Sequence, residues 1–377
     1  MSTDFENQFK EEWEKQKENC KSPNIFILGG TGVGKSTLVN LVFGKDLATV
    51  SADTPETQGI RSYWGKDYGL PVNIFDSEGY ELSSQDINVN KSYEKYKKDI
   101  VGFIDDSKSD SDISKHIHLV WYCISVAGKR IQDIDLEVIN EVETKLPGKL
   151  AIIFTKCDQD DDKASIVSEF KRILSHSLIR NCPSFEISND EELKGSLDLE
   201  KMVEWAVNNL DTDDLRESFI ASQFCSLEQK RKNAKKHILI AAGLAGTAGA
   251  IPIPFADSAV IVPIQLGMCA KIINSYGLDI LAGVSSALIG DVIISNIGKS
   301  LATNLVKIIP GVGQTLGSVI NATVAAGITS ALGFAISQIC YICCEKLLRG
   351  ESINIAEMFS MENIEKYIKM YKNIQKK

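Results

Sequence analysis

Apolar and polar positions follow three different rhythms along the 377 residues of this chain. At the start, Phe5, Phe9, Trp13, Gln16 and Cys20 recur at helical spacing. They predict an amphipathic helix over 1–21 whose aromatic stripe must dock, and the C-terminal part of the chain is the expected dock. From 22 to 210 short apolar runs alternate with longer periodic segments. Strands are predicted near 24–29, 60–64, 72–76, 118–125, 150–155 and 184–187, and helices near 35–43, 90–105, 131–145, 163–179 and 197–209. That alternation predicts an α/β domain with a mainly parallel sheet covered by helices on both faces. The acidic and serine-rich run Asp105–Asp112 reads as a solvated loop.

The third rhythm begins with a strongly charged segment, 211–236, which opens on the N-cap pattern Asp211-Thr212-Asp213-Asp214-Leu215 and predicts a helical connector. Polarity then collapses. From His237 to Gly350 there are nine charged side chains, and Ile308–Cys344 runs 37 residues without one. This stretch is rich in Gly and Ala and predicts an all-α helical domain over 237–350. A closing amphipathic helix is predicted over 351–377, with Ile364, Tyr367, Ile368, Tyr371 and Ile374 on one face. The uncharged stretches are long enough to cross a bilayer, and Gly313 and Gly317 form a GxxxG pair. Pro252, Pro254, Asp257, Pro263, Gln265, Asp279 and Asp291 interrupt them where a simple span stays apolar. Three readings therefore stand: a compact helical domain that touches a membrane conditionally, which is preferred, true membrane spans, and a soluble bundle.

Charge and cysteine usage narrow the classes. The net charge is −9, and an acidic chain without a basic stripe argues against nucleic acid as a partner. Nine scattered cysteines read as reduced, buried thiols of an intracellular protein, Cys123, Cys157, Cys269, Cys340, Cys343 and Cys344 among them. Cys340 and Cys343 have CxxC spacing, but no second pair or nearby histidine completes a zinc set. The N-terminus is polar and lacks the apolar stretch of a secretory signal. The expected location is cytoplasmic, with membrane association through the helical domain.

Chemistry concentrates where the predicted strands end. Gly29-Gly30-Thr31-Gly32-Val33-Gly34-Lys35-Ser36 lies between an apolar strand, 24–28, and a helix that starts at Lys35 and Ser36 and runs on through Thr37. Glycines at this position let successive backbone N–H groups turn inward on phosphate oxygens, and the helix N-terminus adds positive partial charge. Lys35 is expected to reach the β and γ phosphates, and Ser36 to ligate Mg²⁺. Asp76, in Asp76-Ser77-Glu78-Gly79, is a second Mg²⁺ candidate, and the Gly79 N–H is a candidate sensor of the γ phosphate. The turn-rich segment 51–61 offers a hydroxyl to close over the metal, with Thr57 preferred to Thr54. Asp158, in Thr155-Lys156-Cys157-Asp158, can accept two hydrogen bonds from the ring N–H and exocyclic amine of guanine. Adenine offers no matching pair of donors. The stem of Lys156 can cover the purine, Thr155 can tie the loop down, and Ser188 and Asn189 can offer backbone N–H groups to the guanine carbonyl.

These runs stand in the order of the five guanine-binding motifs of P-loop GTPases, so 1–210 resembles an Era-like small GTPase domain. The run His118–Ile134 resembles the fourth strand and following loop of Era-like GTPases that carry a C-terminal helical domain of unknown function, and Ile251–Lys271 resembles the start of that domain. The layout is also similar to immunity-related and dynamin-like GTPases. The resemblance implies GTP/GDP and Mg²⁺ as ligands, GTP hydrolysis, and a nucleotide switch coupled to the helical domain. Where many GTPases carry a water-orienting Gln after the glycine, this chain has Tyr80, which predicts slow intrinsic turnover with water held by backbone, by Glu78, or by an activating protein or second protomer. Arg61 is the candidate for a cation in cis, although a plain surface role fits it better. Two other readings remain open: a GTP-dependent binding module with negligible hydrolysis, and a membrane-embedded protein gated by its nucleotide domain.

Overall fold

The computed structural model describes residues 21–44, 55–57, 60–64, 70–77, 89–160, 164–175, 182–190, 192–193, 197–249, 257–283, 289, 292 and 322–375. Expectations for the helix over 1–20, for Thr54, Glu78, Gly79 and Tyr80, for 251–256 and for Gly313 and Gly317 lie outside these residues. For Thr57 and Arg61 the backbone alone is described. The chain divides into two compact units, one over Lys21–Ser226 and one that includes Leu227–Lys377.

The first unit is built on a seven-stranded sheet. Its strands are β1 (Asn24–Leu28), β2 (Pro55–Thr57), β3 (Ile60–Trp64), β4 (Asn73–Ser77), β5 (Leu119–Ser125), β6 (Leu150–Thr155) and β7 (Ser184–Glu186). Their order is β2-β3-β4-β1-β5-β6-β7. β4, β1, β5, β6 and β7 are parallel, while β3 runs antiparallel to β4 and β2 antiparallel to β3. Strand β2 was not expected from the sequence, which reads as a turn-rich loop there. Three residues opening on Pro55 carry no alternation, and an edge position tolerates a proline that donates no ladder bond.

Helices cover both faces, as period-two alternation in the central strands requires. Phe26, Tyr122, Ile152 and Phe154 point to the face buried by α2 (Val89–Ser109), α3 (Asp133–Lys145) and α4 (Ser165–Ser175). Trp121, on the other face, meets Phe43 of α1 (Lys35–Phe43) and Phe219 of α6 (Asp213–Ser222), with ring centroids 6.0–6.4 Å apart. Phe185 there meets Trp205 of α5 (Leu199–Asn209) at 6.1 Å. Such aromatic contacts add directional energy to the burial of large apolar area.

Two boundaries differ from the sequence reading. The polar run from Asp105 continues α2 as far as Ser109. Lys145 grips the Asp105 carboxylate at 2.7 and 2.8 Å, and Lys108 donates to the Lys145 carbonyl at 2.8 Å, so the expected loop is held as helix. The expected single connector over 211–236 is two helices. Thr212 caps α6, which belongs to the first unit through Phe219, and a turn follows in which the buried Gln223 side chain binds both the N–H and the carbonyl of Ser226 at 2.8 Å. The Phe224 N–H donates to the Val42 carbonyl at the end of α1, at 2.8 Å.

The second unit is helical. It comprises α7 (Leu227–Gly249), α8 (Asp257–Tyr276), α9 (Leu278–Ala282), α10 (Ala322–Leu348), α11 (Ile355–Met358) and α12 (Met361–Gln375). Small residues permit close crossing: a Cβ on Gly333 would lie 2.6 Å from Ile238 and 2.9 Å from the Met268 sulfur. Buried polar groups are paired across helices, Tyr276 with Ser337 at 3.0 Å, Gln265 with Thr329 at 3.0 Å and Asn233 with Ser275 at 2.9 Å. The closing segment is two helices, not one, because Asn354 caps α11 and Ser360 accepts from the Asn363 N–H to start α12. Ile364 and Ile368 are buried, and Tyr371 packs on Phe334 at 5.1 Å. Among the described residues one helix, α10, is long and apolar enough to cross a membrane, and 67% of its most apolar window is buried inside the protein. Cys269, Cys340, Cys343 and Cys344 are buried thiols, and burial pushes Cys269, Cys343 and Cys344 up to about 12.

Candidate functional site

β1 lies at the point where strand order reverses, with β4 on one side and β5 on the other, and ligands of open α/β sheets bind outside the carboxyl ends of strands at such a point. The chain leaves β1 into the loop 29–34 and enters α1 at Lys35. Gly29 has φ 133°, and a Cβ there would sit 2.4 Å from the Cys123 carbonyl oxygen. Only glycine allows the loop to pass so close to β5. Gly32 and Gly34 also have positive φ, 73° and 104°, and Gly34 is the residue from which α1 starts.

The Lys35 ammonium is folded back over this loop. It donates to the carbonyls of Gly29 at 3.0 Å and Gly30 at 3.2 Å, and it lies 3.9 Å from Asp76 Oδ1. Ser36 and Thr37 are exposed on the first turn of α1. Asp76 is the last residue but one of β4, and its neighbour Ser77 faces the opposite side of the strand. The set around Lys35 thus combines a hydroxyl and a carboxylate, hard oxygen donors of the kind Mg²⁺ takes. Backbone pairing places Thr57 opposite Ile60 at the end of β2.

The residues expected to read the base come to the same edge. Thr155 Oγ1 donates to the Val33 carbonyl, locking the end of β6 to the phosphate loop. Lys156 adopts φ 56° and its ammonium donates to the Gly32 carbonyl at 2.8 Å, so its stem lies across the mouth of the loop. Asp158 sits in the short helical turn Cys157–Gln159, and its Oδ1 accepts from Ser188 Oγ at 2.6 Å. Ser188 Oγ in turn accepts from the Asp190 N–H at 3.0 Å, so the hydroxyl proton is committed to the carboxylate. Ser188 is buried and Asn189 exposed. The two loops are joined by the Cys157 N–H to Ile187 carbonyl bond at 3.2 Å. The loop that carries Ser188 and Asn189 therefore lies against the loop that carries Asp158, through a Ser188 side-chain bond that the sequence reading did not include.

Two further residues escaped the sequence reading. Tyr96, from α2, accepts from the Gly29 N–H at 3.1 Å and lies 3.3 Å from Ser77 Oγ, so one hydroxyl ties the first loop residue to the end of β4. Burial pushes its phenol up to about 12, which keeps it neutral. A tyrosine on an amphipathic helix gives no sequence signal for such a role. Arg130 is exposed just beyond β5, and with Gly30, Gly32, Val33, Gln132 and Lys156 it lines a cavity of about 600 Å³ beside the phosphate loop. The loop that carries it is anchored by Asp135, whose carboxylate accepts from Tyr122 OH at 2.8 Å and from the Gln132 N–H at 2.9 Å.

Residues 24–156 match the family model described as a 50S ribosome-binding GTPase. The protein described as "Probable GTP-binding protein EngB" of Caldanaerobacter subterraneus subsp. tengcongensis is 32% identical over 179 residues, covering 47% of this chain and 79% of EngB. Translocase of chloroplast 159 of Arabidopsis thaliana is 30% identical over 102 residues, which is 25% of this chain and 7% of the translocase. Among solved structures, a septin GTPase domain from Chlamydomonas reinhardtii covers 53% of this chain and 94% of its own, with 17% identity and a TM-score of 0.34. A phosphate loop at the reversal point of a parallel sheet, a Thr-Lys-x-Asp corner bonded to it, and a GTP-binding relative matched over most of its length lead to one assignment: this chain belongs to the P-loop GTPase family.

Proposed function

We propose that the chain binds GTP in preference to ATP, hydrolyses it slowly, and acts as a nucleotide-dependent switch whose helical unit contacts a membrane or a partner in the cytoplasm. The observation that carries the base assignment is the corner in which Thr155 and Lys156 are bonded to the phosphate loop while Ser188 holds Asp158. A carboxylate oriented by one hydroxyl keeps lone pairs for two more donors, and guanine supplies two on one edge. Ser188 and Asn189 offer backbone N–H groups to the guanine carbonyl. The backbone N–H groups from Gly29 to Thr37 bind phosphate oxygens, and the Lys35 ammonium exchanges its carbonyl partners for the β and γ phosphates.

Ser36, Asp76 and Thr57 would hold Mg²⁺, which when bound neutralises charge on the phosphate oxygens. Gly79 is the proposed γ-phosphate sensor, and release of that phosphate frees the loops that carry Thr57 and Gly79. With Tyr80 after Gly79, no glutamine orients the attacking water from that position. Arg130 supplies a further cation beside the loop from this chain's own surface. Membrane contact is supported by the uncharged composition of the helical unit.

Competition binding tests the base assignment. Asp158→Asn is expected to weaken GTP binding by at least tenfold and to improve binding of xanthosine triphosphate; an unchanged preference for GTP would overturn it. Single-turnover hydrolysis tests the second cation. Arg130→Ala is expected to slow the chemical step by at least tenfold with little change in GDP affinity, and an unchanged rate removes Arg130 from the mechanism.

A further inference from the structure

The helix α7 is built inside out for a helix facing water. Its inward positions beyond Ala234 include Ala241, Ala242 and Ala245, all buried, whereas Leu239, Ile240 and Leu244 stand 63%, 53% and 53% exposed. A water-facing amphipathic helix places its large apolar side chains inward and small or polar ones outward. The same outward face carries a second feature. Residues 230–236 hold five basic side chains and no acidic one, and of these Lys232, Lys235 and Lys236 are exposed. At about 100° per residue, these three lysines and Leu239, Ile240, Gly243, Leu244 and Thr247 share one side of the helix. The lysines lie toward the N-terminal half and the apolar residues toward the C-terminal half. Lys232 and Leu244 are separated by roughly 18 Å along the axis at 1.5 Å per residue.

We infer that this face of α7 binds an anionic lipid surface, the lysines at the headgroups and Leu239, Ile240 and Leu244 in the acyl boundary. The inference rests on the membrane contact proposed above and names where it occurs. Charge is the argument for a bilayer as the occupant. A chain of net charge −9 is repelled by an anionic surface unless a local cationic patch offsets it, and the densest basic run sits directly beside the exposed apolar band. A cationic band beside an apolar band supplies both attractions that hold a surface helix on anionic lipid, charge and buried apolar area. The sequence continues without charge from Ala248 to Phe255, which includes Ile251, Ile253 and Phe255. A polyphosphate partner would have no use for the apolar half. The face is a convex helix side and offers no groove to a peptide.

Flotation of the full-length chain with lipid vesicles tests this. Binding is expected to vesicles that contain phosphatidylserine and to be much weaker with phosphatidylcholine alone. Leu239→Ser/Ile240→Ser/Leu244→Ser and Lys232→Gln/Lys235→Gln/Lys236→Gln should each reduce the bound fraction, the lysine variant by about fivefold or more. Both variants should keep the circular dichroism spectrum and GDP affinity of the parent. Equal flotation of parent and variants would leave membrane contact standing and remove α7 as its site. Absence of flotation by the parent would remove both, while the Asp158 competition would still report on base recognition. A parent that does not float but forms a dimer by light scattering, dissociated by the serine variant, would make the face a self-association surface and overturn the inference. Loss of thermal stability in the serine variant without loss of flotation would mean that the chain covers these residues itself, and would overturn it equally.

Discussion

Single side chains fix the shape of the phosphate cradle and much of its legibility. Lys35, Thr155, Lys156 and Asp158 could be placed near one another in advance, because glycine spacing and residue order mark the loops that follow β1 and β6, and the structure brings both loops to one edge of the sheet. Tyr96 and Ser188 Oγ could not, since their roles arise from contacts 67 and 30 residues apart in sequence. His118 is another such residue. Its Nδ1 accepts from the Asn24 N–H at 2.9 Å beside the start of β1, a bond that needs the unprotonated ring nitrogen. Desolvation lowers its pKa from 6.5 to about 4. Between these values the unfolded chain binds the proton and the folded chain does not. Its contribution to stability is therefore complete above pH 6.5 and is lost as pH falls toward 4. The full window corresponds to about 3 kcal/mol. His118→Gln should flatten the acid limb of stability against pH, as followed by urea denaturation from about pH 7 to about 4. An unchanged limb would place the acid sensitivity elsewhere.

Among the elements, strong periodicity carried further than composition. The central strands and α1, α3 and α5 were legible because β1, β5 and β6 are buried along almost their whole length and read as continuous apolar runs. Three departures from the expected elements share one cause, in that tertiary contacts override local signals. Asp105–Ser109 is helix because Lys145 and Lys108 hold it, β2 is a strand because β3 offers it an edge, and α6 separates from α7 because Gln223 closes a buried turn. The charged run 211–236 masked Phe219, which stands with Leu215 and Ile220 in a segment read as a connector yet is fully buried against Phe43 and Trp121. Phe219→Ala should cost about 3–5 kcal/mol of stability in the nucleotide-binding unit, the usual range for truncating a buried phenylalanine. Thermal denaturation with GDP present would report it, and a loss below about 1 kcal/mol would mean that α6 is dispensable there.

Taken whole, the chain is a nucleotide unit that ends at Ser226 followed by a helical unit whose longest apolar helix is its own core. Composition exposed the division, because charge thins out after His237, but it placed the border some ten residues too late: the basic first turns of α7 already belong to the helical unit. The Phe224 N–H is bonded to the Val42 carbonyl, and α1 runs nine residues from Lys35 to Phe43. The backbone that precedes Leu227 is thus held at the C-terminal end of the helix whose first turn carries Lys35 and Ser36. That bond lies one helix length, about 13 Å, from the turn that carries Lys35 and Ser36, so Phe224 and the first turn of α1 mark the two ends of a single rigid rod.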